Sequence, residues 1–246
     1  MTDKVIQIVQ RANQRGGRML SVVDLIEAGT LSTELAAWLL AQIRDGASFL
    51  VGAQPGGAGK TAIMGALLTM LPDTPPVYLT GARGRWTRAE PGSCVVAYEI
   101  SPASYEAYIW GEDVRALTEL GRNGARIVSN LHADTLEEAR EQVVDDCGAG
   151  EDGFRAFSLF IPINTGGRGF RMQRVVEEVY MADSVDGSDG SNDKDEAGWR
   201  RIERGAEPEA EGRDSIERFL ERCSREQTVR IEDVRSAWLA FLRSGE

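Results

Sequence analysis

A glycine-rich run stands between an apolar stretch and a helical one: Val51-Gly52-Ala53-Gln54-Pro55-Gly56-Gly57-Ala58-Gly59-Lys60-Thr61. Glycines at this spacing let successive backbone N–H groups turn inward around phosphate oxygens. The helix that follows adds the positive end of its dipole. In such a loop the lysine reaches the β- and γ-phosphates, and the threonine hydroxyl ligates magnesium. The run Gln54, Pro55, Gly56, Gly57, Ala58, Gly59, Lys60, Thr61 therefore predicts a nucleotide site, with Lys60 on phosphate and Thr61 on Mg2+. One position departs from G-x-x-x-x-G-K-[ST]: Gln54 stands where the first glycine is usual. Gly56 and Gly57 are expected to supply the conformational freedom instead.

Two further residues are candidates for chemistry at the same site. Ser93–Ile100 is an apolar run ending in an acid, and Glu99 falls at its carboxyl end. In an open α/β sheet that end faces the ligand, where a carboxylate positions magnesium or the attacking water. His132 is the one histidine in the chain and follows the apolar run Ile127–Leu131. It too is expected at a strand's carboxyl end. Arg83, Arg85 and Arg88 cluster in one loop. They read either as phosphate contacts, in place or across a subunit boundary, or as solvated charges on an acidic protein.

The elements that must position these residues follow from periodicity. Helical patterns cover the N-terminus, Val22–Ala28, and a stretch from Ser32 or Thr33 to about Arg44 whose apolar face is Leu35, Trp38, Leu39 and Ile43. Ala47–Gly52 reads as a buried strand, Ala62–Leu71 as a helix, and Val77–Leu79, Val95–Ile100 and Arg126–Leu131 as strands. Helices are expected at Asp113–Leu120 and Leu136–Val144, the second capped by Asp134 or Thr135. Alternation of this kind implies a parallel sheet covered by helices. Phe157–Ile163 and Phe170–Ala182 read as an added antiparallel hairpin, with Pro162 favouring an edge position.

The domain map expected is a helical segment over 1–45, a core over 46–182, an acidic flexible linker over 183–212 and a helical tail over 213–246. The linker has too few apolar residues to offset the cost of ordering. The tail carries two amphipathic stripes, one of Ile216, Phe219, Leu220 and Cys223 and one of Val234, Trp238, Phe241 and Leu242, suited to pairing, to docking on the core or to a protein partner.

Bulk properties bound the partners. Among the 246 residues, 42% are hydrophobic, enough for a sizeable core, and the formal net charge is −11. Such a surface repels nucleic acid in bulk. Three scattered cysteines make no disulfide framework and no zinc pattern. No apolar run reaches the ~18 residues that span a bilayer, and the N-terminus lacks a signal segment, so a cytoplasmic location is expected.

Leu131-His132-Ala133-Asp134-Thr135-Leu136-Glu137-Glu138-Ala139 resembles the histidine box of the secretion ATPases, the hexameric motors of type II and type IV secretion and type IV pili. Leu120-Gly121-Arg122-Asn123-Gly124 resembles the family's Thr-Gly-His-x-Gly run, and Glu99-Ile100 its Gly-Glu-Ile. Val22–Leu35 is similar to the segment that leads into the P-loop of archaeal-type members. The likeness covers roughly residues 20–182. It implies a RecA-like P-loop NTPase core, ATP and Mg2+ as ligands, His132 as a sensor of the γ-phosphate, and a homo-oligomer.

The chain also departs from that pattern. The family's acidic box on the strand after the P-loop helix has no counterpart, since no acid occurs from Val77 until Glu90. Tyr98 stands for the glycine before Glu99, and Ser101 for the arginine after Ile100. Residues 1–45 are too few to be the family's large N-terminal domain, so the chain reads as a small member without it. Two functions stay open: an ATPase that drives or controls a conformational or assembly step, and an ATP-binding regulatory or scaffold protein with little turnover. A P-loop kinase is a third, for which no acceptor-binding lid is visible. ATP is preferred over GTP by default, because no Asn-Lys-x-Asp motif is present.

Overall fold

The computed structural model describes residues 3–13, 16–73, 76–81, 84–166, 173–183 and 198–245. Alternating strand faces explain the architecture. In β1 (Phe49–Gly52), Phe49 and Val51 join one buried cluster and Leu50 another. β3 (Cys94–Val96) splits in the same way, as does β7 (Leu159–Pro162), where Leu159 and Ile161 oppose Phe160. Side chains that alternate between two apolar clusters require helices on both faces of the sheet.

The first face is covered by α1 (Lys4–Ala12), α2 (Val22–Glu27), α3 (Thr33–Arg44) and α4 (Lys60–Leu68), the helix after the glycine-rich loop. The second is covered by α5 (Glu112–Arg122), α6 (Leu136–Arg140), a π-helical turn at Glu141–Asp146 and α7 (Gly150–Arg155). The remaining strands of the main sheet are β2 (Val77–Leu79), β4 (Glu99–Ile100), β5 (Tyr108–Ile109), β6 (Arg126–Leu131), β10 (Glu178–Ala182) and β11 (Trp199–Glu203). Its order is β11-β10-β7-β1-β6-β3-β2, with β4 and β5 branching from β6. The pairs from β7 to β2 are parallel, and β10 and β11 are antiparallel additions. A separate two-stranded antiparallel ribbon is made by β8 (Asn164–Gly166) and β9 (Gln173–Val175). The fold is thus mixed α/β, with a mostly parallel central sheet. No described helix is long and apolar enough to cross a membrane.

Several sequence expectations are corrected. β7 is an interior strand, parallel to β1 on one side and antiparallel to β10 on the other. Pro162 is tolerated there because Leu159 and Ile163 donate their N–H groups to β1, which turns the position of Pro162 away from β1. Pairing with β10 has already ended at Phe160. The run expected as one strand to Ile100 breaks at Ala97-Tyr98, where the Tyr98 N–H bonds to Ala107 and the Asn130 amide donates to the Tyr98 carbonyl.

Of the segment read as a linker, residues 184–197 lie outside the described residues. Trp199–Glu203 forms strand β11, because Trp199 and Ile202 find buried places against β10 and its neighbours. α3 is buried on all sides rather than on one face, because α8 (Arg213–Arg225) covers what the sheet does not. A helix that is apolar all round needs such a cover. α9 (Ile231–Ser244) completes the tail, and Trp238 donates to the Met70 carbonyl just beyond α4. The buried Arg235 donates to Thr69 and Leu71 carbonyls at the same end, where a cation complements the helix dipole.

Gly52 shows how tightly the strand end is built. A methyl group there would lie 2.5 Å from the Ala133 carbonyl oxygen and 2.6 Å from the Phe160 ring. Overpacking of this kind costs about 1–3 kcal/mol. Gly52→Ala is expected to lower Tm by about 2–4 °C for each kcal/mol lost. A thermal melt checks this, and an unchanged Tm would mean the strand end has room that the geometry denies.

Candidate functional site

The site forms where β1, β4 and β6 end. β1 connects through α4 toward β2, whereas its neighbour β6 connects through α6 and α7 to β7 on the other side, and an open sheet has its crevice at such a switch point. The chain turns from β1 into the glycine-rich loop. Gly57 and Gly59 adopt φ of +87° and +104°, a left-handed backbone that favours glycine. Gly59 caps α4 without any side-chain hydrogen bond, so the first-turn N–H groups receive no cap from it. Gln54, at the position where the motif usually has glycine, does not have positive φ. Its N–H donates to Asp134 Oδ1 at 2.7 Å and its side-chain amide to Glu138 Oε2 at 3.3 Å. The departure is accommodated because the backbone there needs no glycine and the amide ties the loop to the segment after β6.

A cleft of about 330 Å³ opens at this point. Gly56 through Ala62 line it, together with Glu99 and His132, and the segment from Arg18 to Leu20 forms part of its wall. Lys60 is buried at 7% exposure, and its Nζ donates to the Ala53 carbonyl at 3.0 Å. The same Nζ lies 3.2 Å from His132 Nδ1. His132 Nδ1 is also 2.9 Å from the Gln54 carbonyl, and its Nε2 is 2.6 Å from Glu99 Oε1.

These contacts restrict the imidazole. A carboxylate partner requires Nε2 to carry a proton. Nδ1 then either accepts from Lys60, in the neutral ring, or donates to Gln54, in the imidazolium. The His132 carbonyl accepts from Gln142 at 2.6 Å, and Gln142 sits in the π-helical turn, a feature frequent at functional sites.

The structure brings Lys60, Glu99 and His132 together, with Thr61 in the first turn of α4 on the same cleft. Pro55 and Gln54 are exposed and do not line it. Arg85 and Arg88 are exposed and are not among the residues that line it. Arg83 lies outside the described residues.

Sequence reasoning missed several neighbours. Thr135 alone caps α6, which leaves Asp134 for Gln54. Tyr98, where a glycine is usual, donates its hydroxyl to the Ile8 carbonyl of α1 at 2.7 Å. Burial pushes that phenol up to about 12, so it is a donor at neutral pH. Arg174 of β9 donates to the Gly57 carbonyl at 3.1 Å from outside the loop. Only the substitution at Tyr98 was a visible signal; the others are polar residues that chain folding alone brings to the loop.

No family profile matches the chain, and no curated protein matches it. Among solved structures it is similar to the VirB11 ATPase from the Brucella suis type IV secretion system, in complex with sulphate. The identity is 14% and the TM-score 0.46, over 73% of this chain and 63% of that one. The chain therefore spans less than two thirds of that protein's length.

Proposed function

We propose that the chain is a magnesium-dependent ATPase of the secretion-ATPase type, built on a RecA-like P-loop core. The observation that carries this reading is the convergence of Lys60, Glu99 and His132 around the glycine-rich loop, at the carboxyl ends of β1, β4 and β6. The donor set fits a polyphosphate: two left-handed glycines, an uncapped helix N-terminus and a buried ammonium. Lys60 binds the terminal phosphates, and Thr61 and Glu99 hold the metal. Magnesium, when bound, neutralises charge that develops on the transferring phosphoryl group. Glu99 orients the attacking water. His132, in contact with both Lys60 and Glu99, reports the state of the terminal phosphate to the loop.

A second reading has its own support. Among the described residues, Glu99 is the one carboxylate lining the cleft, so metal and water share a single acid. That favours an ATP-binding switch with little turnover. Phosphate release separates the two. The ATPase reading expects release above the Lys60→Ala background, measured over a range of protein concentrations so that any assembly is sampled. Release no higher than that background at every concentration rejects the ATPase and leaves the switch.

A further inference from the structure

Glu99 is buried at 8% exposure, and each of its oxygens has a partner. Oε1 meets His132, and Oε2 lies 3.4 Å from the Tyr108 hydroxyl. The second contact is set by the backbone. β4 and β5 are parallel, and Glu99 stands in register with Tyr108. Parallel neighbours ordinarily need a crossover of about a dozen residues or more. Here residues 101–107 alone make the return. The tightness shows at Ala107, which is buried yet adopts φ of +58°, a backbone that non-glycine residues keep only when their surroundings over-determine it. Its carbonyl accepts from the Tyr98 N–H at 2.9 Å and from the Thr80 hydroxyl at 3.0 Å. The Tyr105 ring meets the Tyr108 ring edge-on, with centroids 5.2 Å apart. A strained, doubly pinned return thus delivers one phenol to one carboxylate.

We propose that Tyr108 is a positioning residue for Glu99: its hydroxyl donates to Oε2 and holds the carboxylate so that Oε1 stays on His132. This role rests on the ATPase reading above. It explains how a single acid keeps one orientation in the cleft. The titratable groups that face Glu99 are His132 from the end of β6 and Tyr108 from β5, with Lys60 of α4 one contact further on. Tyr98 lines the same cleft, but its hydroxyl is committed to Ile8.

Tyr108→Phe keeps the ring and its contact with Tyr105 and removes only the hydroxyl. The expected result is a fall in kcat for phosphate release of about 3–10-fold, the worth of one hydrogen bond, with KM unchanged. Adding Tyr108→Phe to Glu99→Gln should slow the enzyme no further than Glu99→Gln alone. Wild-type kcat in Tyr108→Phe overturns the role. So does a raised KM at unchanged kcat, which would make the ring a wall for the nucleotide. If the parent itself releases no phosphate above the Lys60→Ala background, the ATPase reading falls and this role with it. Turnover in the parent that Tyr108→Phe leaves unaltered removes this role alone.

Discussion

Glu99→Gln is expected to keep Mg-ATP binding and to lose turnover by about 10²–10⁴-fold, the typical worth of a positioned acid–base group. That corresponds to about 3–5 kcal/mol in the barrier. The amide matches the carboxylate in shape and can present its carbonyl oxygen to His132 Nε2, so the local packing is retained. What it lacks is the negative charge that holds a metal or draws a proton from water. Among the described residues no second acid lines the cleft to take over. His132→Ala should produce a loss of similar size by a different route. It leaves Glu99 Oε1 without its 2.6 Å partner and removes the contact between Lys60 and the end of β6. Phosphate release and an equilibrium binding titration on the same samples check both. If Glu99→Gln turned over at the parental rate, the carboxylate would have no part in the chemistry.

The glycine-rich loop between β1 and α4 was legible in the sequence because its constraints are local. Glycine is needed where φ is positive, lysine and threonine follow at fixed spacing, and the flanking strand and helix carry clear periodicities. β1, β6 and α4 follow from the same signals. The strand order and the interior place of β7 were not legible. Pro162 argued for an edge, and only the phase of its hydrogen bonding, with Ile163 bonded to Gly52, shows why an interior strand accepts it. The break at Ala97-Tyr98 was hidden within one apolar run, since a run of buried residues does not record where the ladder stops.

The segment before the tail shows the limit of composition. Trp199 and Ile202 are two apolar residues in an acidic stretch, and spaced as they are they suffice for an edge strand against β10. The site partners divide in the same way. Glu99 and His132 stand at strand ends and could be read off. Tyr108 could not, because its place depends on a seven-residue return with Ala107 in a left-handed backbone, which no propensity favours.

Lys60 carries the central claim, and its substitution tests it most directly. The ammonium is buried between the Ala53 carbonyl and His132. Lys60→Ala therefore alters the stability of the protein alone as well as its affinity for phosphate. The informative quantity is the change each protein shows on adding Mg-ATP, not its absolute Tm. A ligand at about 100 times its Kd stabilises by about 2.7 kcal/mol. For a chain of this size that amounts to roughly 5–10 °C in Tm. The measurement is a pair of melts, with and without Mg-ATP, on the parent and on Lys60→Ala. The account predicts a shift of that size in the parent and none in the variant. An equal shift in both would place the nucleotide elsewhere, and no shift in the parent at saturating Mg-ATP would contradict the P-loop site itself.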